Sequence, residues 1–570
     1  MAKILKKVDV VTVGVGWTGG IVAAECSKAG LKVVGLERGG SRTTEDFSQI
    51  HDEYRYAINY GLMQDLSKET VTFRNTLNQK ALPMRKMGSF LLGNGEGGAG
   101  VHWNGWTYRF FPYDFEIKTM TEKRYGKNKV SKDYLIQDWG ITYDEMEPYF
   151  DKFEKTAGIS GEAKNPFEGK RSSDYPNPPL NNTPILLHFE EVTKKMNYHP
   201  YRMPAANSSQ SYTNPDGETL NPCQYCAFCE RFGCEYGAKA SPIVTVIPTA
   251  LKTGNYEIRH HSNVVEILKK GDKVTGVKYI NTLTLEEYIQ PADIVVLSSY
   301  MLNNAKLLMI SKIGEQYDPM TRKGTLGKNY CYQLNPATTA FFDKQFNVFM
   351  GAGALGTNID DFNGDNFDHS DLDFIHGALI YGLQSGARPI SNNPVQKGIP
   401  SWGSAFKRAS IYNYTRVITV GGQGSSMPYF QNYLSLDPTY KDAYGYPLLR
   451  MTYNFTDQDR ALFKFITKKT EAIAKAMNPK SILSVPQITN YSVIPYQSTH
   501  NVGGTTMGID PSISVVNTYL QHWDADNLFV VGAGNFAHNS GYNPTGTAGA
   551  LAYRCAEGII KYHKTGSKLG

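Results

Sequence analysis

Two hydrophobic patterns alternate along this chain: short unbroken β-branched runs, and longer apolar stretches with helical spacing. The runs at residues 8–13 (VDVVTV), 31–36 (LKVVGL), 256–260, 293–297 and 527–534 predict strands, mostly buried on both faces as in a parallel sheet. Because they are so far apart, one sheet is expected to assemble from separated stretches. Residues 263–268 and 273–281 alternate apolar and polar positions around Lys270-Gly271-Asp272, the pattern of a hairpin. Helices are predicted from Thr142, with Glu145 completing a capping box, and over 244–252, stopped by Gly254-Asn255. Further helices are predicted from Asn303 toward Ile310, over 456–477, and from Asn543-Pro544-Thr545 toward Lys561. Residues 41–80 lack clear periodicity and read as loops and short helices. The Pro- and Asn-rich stretch 165–184 marks a linker or an excursion to another domain. Residues 331–490 mix strand-like runs such as 417–420 with the long helix and read as an insertion.

The first strand runs straight into Gly14-x-Gly16-x-x-Gly19, an apolar helix follows to Gly30, and the second strand ends in Glu37. That is a nucleotide cradle. Gly14 allows the tight turn, Gly16 lets the backbone approach a pyrophosphate at the positive helix end, and Gly19 permits close helix packing. A carboxylate 23 residues beyond the first glycine is placed to accept hydrogen bonds from ribose hydroxyls.

At 570 residues the chain has room for two or more domains, or for one enlarged by insertions. Apolar residues at 41% and charged residues at 20% argue against disorder, and a net charge of +6 without basic runs does not suggest nucleic-acid binding. No stretch approaches 18 consecutive apolar residues, so no membrane span is expected, and the start of the chain enters the first strand without room for a cleavable signal. Of seven cysteines, four fall within twelve positions, as Cys223-x2-Cys226-x2-Cys229-x4-Cys234, which suits a metal better than a disulfide framework. Zinc or an iron–sulfur cluster could sit there, and a single compressed run wraps better around a cube-like cluster. Cys26, Cys331 and Cys555 lie in apolar surroundings and read as packing residues.

Residues 93–105 hold too many glycines for a helix or strand interior and should lie against something flat, a candidate flavin-ring contact. Together with the cradle, the Val101-His102-Trp103-Asn104-Gly105 ending of that loop, Ser498-Thr499-His500 with Met507-Gly508-x-Asp510, and Asn543-Pro544-Thr545, it resembles the glucose-methanol-choline (GMC) flavin oxidoreductases over nearly the whole chain. Within that family the chain looks most like the large subunits of gluconate, glucose, sorbitol and fructose dehydrogenases, and residues 138–145 and the cysteine segment through Lys239 look most like the gluconate branch. The resemblance implies an α/β FAD-binding, Rossmann-like domain with an inserted α+β substrate-binding domain. Its FAD-binding parts would be 1–150, 221–330 with the cysteine loop, and 491–570; the substrate domain would be 151–220 and 331–490. It implies FAD held by Gly14, Gly16, Gly19, Glu37, Arg38, Gly98, Val101, His102, Val265, Gly532, Ala533, Asn543, Pro544 and Thr545. Residues 298–305 depart from the family's usual glycine-containing turn.

The resemblance further implies oxidation of a sugar, polyol or sugar acid, and a complex with a small subunit and a multihaem cytochrome c. His500 is the expected base that takes the hydroxyl proton as hydride leaves, and Asn543 the group that holds the substrate oxygen, with His538 and Asn539 as competitors. Asn501 is a candidate for orienting the site. Resembling enzymes carry a three-iron, four-sulfur cluster on three cysteines; of the four here, Cys226 is the first to be excused. Arg109 is a candidate partner for a substrate carboxylate. An oxygen-using oxidase with structural zinc, and a non-redox lyase that keeps FAD as structure, are the alternatives. Clustered free cysteines suggest a reducing compartment. The resembling subunits, exported with a partner, instead suggest the periplasm or the outer face of the membrane.

Overall fold

The computed structural model describes residues 2–47, 62–85, 92–384, 392–493 and 498–569. Its centre is a parallel sheet in the order Tyr256–Arg259, Val33–Leu36, Val8–Val13, Glu287–Leu297, Ala525–Val530. The registers Val10↔Val33, Val10↔Ile294 and Val295↔Leu528 place the β-branched runs side by side, and Val10, Val11, Val295, Val296, Leu528 and Phe529 are wholly buried. Burial on both faces explains why these strands read as unbroken apolar runs. Glu287–Leu297 serves two sheets at once: its first half closes an antiparallel meander with Ser262–Lys270 and Lys273–Asn281, and its second half joins the parallel core. Helix Trp17–Lys28 packs against Val246–Lys252 and Thr545–Thr565, and the latter packs against Tyr143–Ala157. Thr142 caps that last helix with a reciprocal Glu145 contact.

A second, antiparallel sheet has the order Ser481–Ser484, Ala337–Phe341, Val417–Gly424, Ala378–Leu383, Gly356–Ile359, Tyr201–Arg202. The amphipathic helix Asp457–Ala476, capped by Thr456 and Asp459, buries Leu462, Phe463, Ile466 and Ile473 on its apolar side and packs against this sheet. Tyr201–Arg202 brings residues before 220 into the same sheet as residues after 331. Not all of 331–490 belongs there. Tyr433–Lys441 and Pro447–Thr452 instead form a third sheet with Val71–Arg74 and Leu82–Pro83. The Lys306 ammonium clamps that sheet to helix Met301–Ile310, pairing with Glu69 at 2.7 Å and Asp442 at 2.8 Å. The stretch expected as loops and short helices thus contributes the strand Val71–Arg74 and the turn Thr44–Phe47, while residues 48–61 lie outside the described residues.

Candidate active site

The parallel strands end at a cavity of about 420 Å³, lined by Gly14, Gly16, Glu37, Arg38, Gly98, His102, Val265, Gly532, Ala533, His500, Asn543, Pro544 and Thr545. Ligands bind at this end of doubly wound sheets. Gly14 has φ +96°, and a Cβ there would lie 2.9 Å from the Ser298 carbonyl oxygen, so only glycine makes the turn. At Gly16 a Cβ would meet nothing closer than 3.9 Å, so the backbone is open to a ligand. Gly19 is absent from the wall: its Cβ would lie 2.1 Å from the Gly14 carbonyl oxygen, which makes it the packing glycine of the turn. Val101 also lies off the wall, its side chain in a small apolar cluster with Phe47, Leu62 and Phe232. Ser298, in the stretch that departs from the family pattern, lines the cavity and donates from Oγ to the Val13 and Gly14 carbonyls at 2.9 and 3.0 Å.

The Glu37 carboxylate is buried and accepts from Gly39 N at 2.9 Å, Gly95 N at 3.1 Å and Val15 N at 3.2 Å. Two of these bonds occupy Oε1, leaving one acceptor position on Oε2 for a ligand hydroxyl. Arg38 is braced by Glu69 at 3.0 Å and Gln64 at 3.2 Å. Helices Trp17–Lys28 and Thr545–Thr565 begin at Gly16 and Pro544 without a side-chain cap, so two helix N-termini with unclaimed amides face the cavity. Open glycine backbone, uncapped helix ends, and a buried Asn543 Oδ1 without a partner fit an anionic dinucleotide with a polar ring system, as FAD is.

His500 lies at the other end, its backbone in the left-handed region at φ +57°. Its carbonyl accepts from Asn539 Nδ2 at 2.7 Å. Cys331 and Val502 pair in an antiparallel bridge, so Gln333 and His500, each two residues away on the same side, face one another. His500 Nδ1 accordingly contacts Gln333 Oε1, and Gln333 Nε2 donates to Gln423 Oε1 at 3.3 Å. On the far side of the imidazole, Asn543 Nδ2 meets Nε2 at 2.9 Å. This order of donors fixes a tautomer: Nδ1 carries the proton and Nε2 presents a lone pair. Burial pushes the His500 pKa down to about 4, so the imidazole is neutral at ordinary pH.

The competitors are placed elsewhere. His538 Nε2 and His376 Nε2 both meet Asp114 Oδ1, at 3.0 and 2.8 Å. These three side chains are close enough to suggest a metal centre. The ring nitrogens refute it: Gly377 N donates to His376 Nδ1 at 2.8 Å, so the proton of that imidazole sits on Nε2 and points at the carboxylate. Asn539 holds the His500 backbone, and Asn501 ties Tyr300 to Tyr330. Arg109 is a correction: its buried guanidinium is bidentate to Glu154 at 2.7 and 2.9 Å and pairs with Glu147 at 2.8 Å, away from the cavity. Gln333 and Gln423 were not anticipated, because an amide within a strand-like stretch carries no motif.

The cysteine loop lies against the cavity wall. Glu230, next to Cys229, lines the cavity, and Arg231 N donates to the His102 carbonyl at 2.8 Å. Ala227 N donates to Gly351 O at 2.8 Å, and Tyr225, Ala227 and Arg231 all have positive φ, so the loop is folded tightly without glycine at those positions. Cys229 is buried and Cys223, Cys226 and Cys234 are partly so. Burial and the neighbouring cysteines push the Cys223 thiol up to about 12 and the Cys229 thiol up to about 11. Asn207 Nδ2 lies 3.6 Å from Cys229 Sγ and 3.9 Å from Cys223 Sγ. No three of the four sulfurs come within 4.8 Å of one another. Cys26, Cys331 and Cys555 are buried in the apolar core.

Residues 136–335 and 428–552 match the GMC oxidoreductase family. The chain is 42% identical to the gluconate 2-dehydrogenase flavoprotein of Pantoea cypripedii, over 98% of this chain and 94% of that one. It is 25% identical to the fructose dehydrogenase large subunit of Gluconobacter japonicus, over 98% of both chains. Its fold is similar to that of pyridoxine 4-oxidase from Mesorbium loti, with a TM-score of 0.60 at 16% identity over 98% of this chain and 99% of that one. The chain therefore belongs to the GMC oxidoreductases, the FAD-dependent enzymes that oxidise CH–OH groups.

Proposed function

We propose that this protein oxidises a hydroxyl of a sugar, polyol or sugar acid of the gluconate kind, with His500 as base, and passes the electrons through a cysteine-bound iron–sulfur cluster to an external acceptor. The observation that carries the reading is the directed chain Gln423, Gln333, His500, Asn543, which makes Nε2 the proton-accepting nitrogen of an imidazole on the cavity wall. Bound FAD supplies the hydride acceptor, N5 of its ring. A substrate hydroxyl takes the place of Asn543 Nδ2 at Nε2 and gives its proton there, while the displaced amide donates to the substrate oxygen and holds it. Gln333 keeps the imidazole in the tautomer that can accept.

The single compressed run of four cysteines supports a cluster over zinc, whose sites usually join two separated knuckles. A three-iron cluster on three of the cysteines is favoured over a four-iron one. The names of the gluconate and fructose relatives support the substrate class, and "large subunit" in one of them supports assembly with a small subunit and a multihaem cytochrome c. We place that complex at the outer face of the cell membrane; no described helix is long and apolar enough to cross it. The test is a visible spectrum with iron and sulfide analysis on protein purified without air, before and after adding gluconate, glucose or fructose. Flavin bands over a broad iron–sulfur shoulder, bleached by one sugar, are expected; flavin with zinc and no iron, or a flavin that no sugar bleaches, overturns the reading.

A further inference from the structure

Lys239 lies five residues beyond Cys234, and its side chain is among the largest that are fully buried. Nζ donates to three backbone carbonyls: Trp103 at 2.5 Å, Cys229 at 2.8 Å and Phe232 at 2.8 Å. Three acceptors take all three hydrogens of an ammonium, whereas a neutral amine has only two to give. The geometry is that of a charge. Lys306 and Arg109, also buried, have carboxylate partners: Lys306 has Glu69 and Asp442, and Arg109 has Glu147 and Glu154. Among the described residues no carboxylate lies within ion-pair distance of Lys239. A buried charge without a counter-charge is strongly unfavourable. Carbonyl dipoles offset part of that cost, and the rest calls for an anion nearby.

The described residues place no carboxylate there, and the proposed function supplies an anion. The carbonyls of Cys229 and Phe232 belong to the cysteine loop, and that of Trp103 belongs to the flavin-side loop that lines the cavity. An iron–sulfur cluster on thiolates is net negative, and becomes more so when reduced. We propose that Lys239 is the built-in counter-charge of that cluster, raising its reduction potential and tying its loop to the wall of the flavin cavity. The inference rests on the cluster reading above. A fixed positive charge favours the reduced cluster over the oxidised one, because the reduced form carries one more negative charge.

The experiment compares full-length wild type with Lys239→Met and Lys239→Gln, each metal-free and after anaerobic reconstitution with iron and sulfide. Thermal unfolding is measured in both states, and a redox titration follows the cluster. The expected result is a smaller rise in Tm on reconstitution in both variants than in wild type, because charge coupling exists only when the cluster is there. The cluster potential should also move negative, read as roughly a tenfold or larger fall in the fraction reduced at a fixed potential. Lys239→Gln retains donors toward the carbonyls and should follow Lys239→Met in potential. If the variants lower Tm equally in both states and leave the potential unchanged, Lys239 only ties carbonyls and the proposal fails. If wild type itself takes up no iron and sulfide, the cluster reading fails first, and the iron analysis tells the two failures apart.

Discussion

Gln333 offers the sharpest test of how His500 is set. In Gln333→Leu the His500 Nδ1–H loses its acceptor in a buried position, which costs about 1–3 kcal/mol. The imidazole can avoid that cost by moving its proton to Nε2, but there it blocks the position that must receive the substrate proton. Either route lowers kcat, by roughly 5- to 150-fold on that energy scale, with little change in KM if substrate binding is held by other groups. Gln333→Glu acts in the opposite direction on the proton. A carboxylate at Nδ1 favours the imidazolium, so the pKa of His500 rises from its depressed value of about 4. In wild type the base form persists down to about pH 4, and kcat/KM should stay flat from neutrality to there. In the Glu variant the base is protonated at a higher pH and the rate falls off sooner. The assay is kcat and kcat/KM from pH 4 to 9 with an artificial electron acceptor, alongside flavin content per chain. A Leu variant within twofold of wild type, with a Glu variant whose acid limb has not moved and flavin content intact in both, would refute the reasoning.

Three further outcomes follow from the same geometry. Gly16→Ala should leave the apoprotein's Tm nearly unchanged and weaken FAD binding, since its Cβ enters open ligand space, whereas Gly19→Ala should destabilise the apoprotein itself, its Cβ falling 2.1 Å from Gly14 O; the reverse order in apoprotein melting would overturn the assigned roles. Lys306→Met should cost about 1–3 kcal/mol in denaturant unfolding, because it removes the buried cation shared by the part-buried Glu69 and Asp442 and leaves Asp442 without a cation, while Glu69 keeps Arg38; a loss below 1 kcal/mol contradicts this. His500 and His522 are both pushed down to about 4 by burial, from an ordinary value of 6.5. Between these values the unfolded chain binds protons that the folded one does not, so stability should fall as pH drops from about 6.5 to 4. His522→Gln should flatten that fall, and an unchanged slope would exclude His522 as a source.

The parallel core was legible because each of its strands is buried on both faces, which forces an unbroken β-branched run at residues 8–13, 33–36 and 294–297. The helices with capping boxes, Thr142 with Glu145 and Thr456 with Asp459, announced their starts for an equally local reason. Val71–Arg74 was not legible: four residues, half of them only partly buried, gain their identity from a partner strand nearly four hundred positions later. The same long-range pairing moved residues 433–452 out of the insertion's main sheet. In the site, motif residues were found and their supports were not. Gln333 meets His500 only because Cys331 pairs with Val502. For Arg109 the sequence did hold a signal: Glu147 and Glu154 are seven apart on helix Tyr143–Ala157, so both carboxylates fall on one face and can converge on a single guanidinium.

The charge layout around the cavity also bears on how the proton leaves. At one edge the formal charges of Arg38, Lys306, Glu69 and Asp442 are joined to one another, while the side chains that meet His500 are the neutral amides of Gln333 and Asn543. A histidine with a pKa near 4 is a weak base, far too weak to ionise a resting alcohol at neutral pH. It need not do so. As hydride departs, the carbon becomes a carbonyl and the hydroxyl proton becomes strongly acidic, so even a weak base takes it. Depressing the pKa keeps Nε2 free of solvent protons over a wide pH range, and the proton is accepted only from a substrate that is losing hydride. The burial that weakens His500 as a base in the resting protein therefore couples its proton transfer to the oxidation itself.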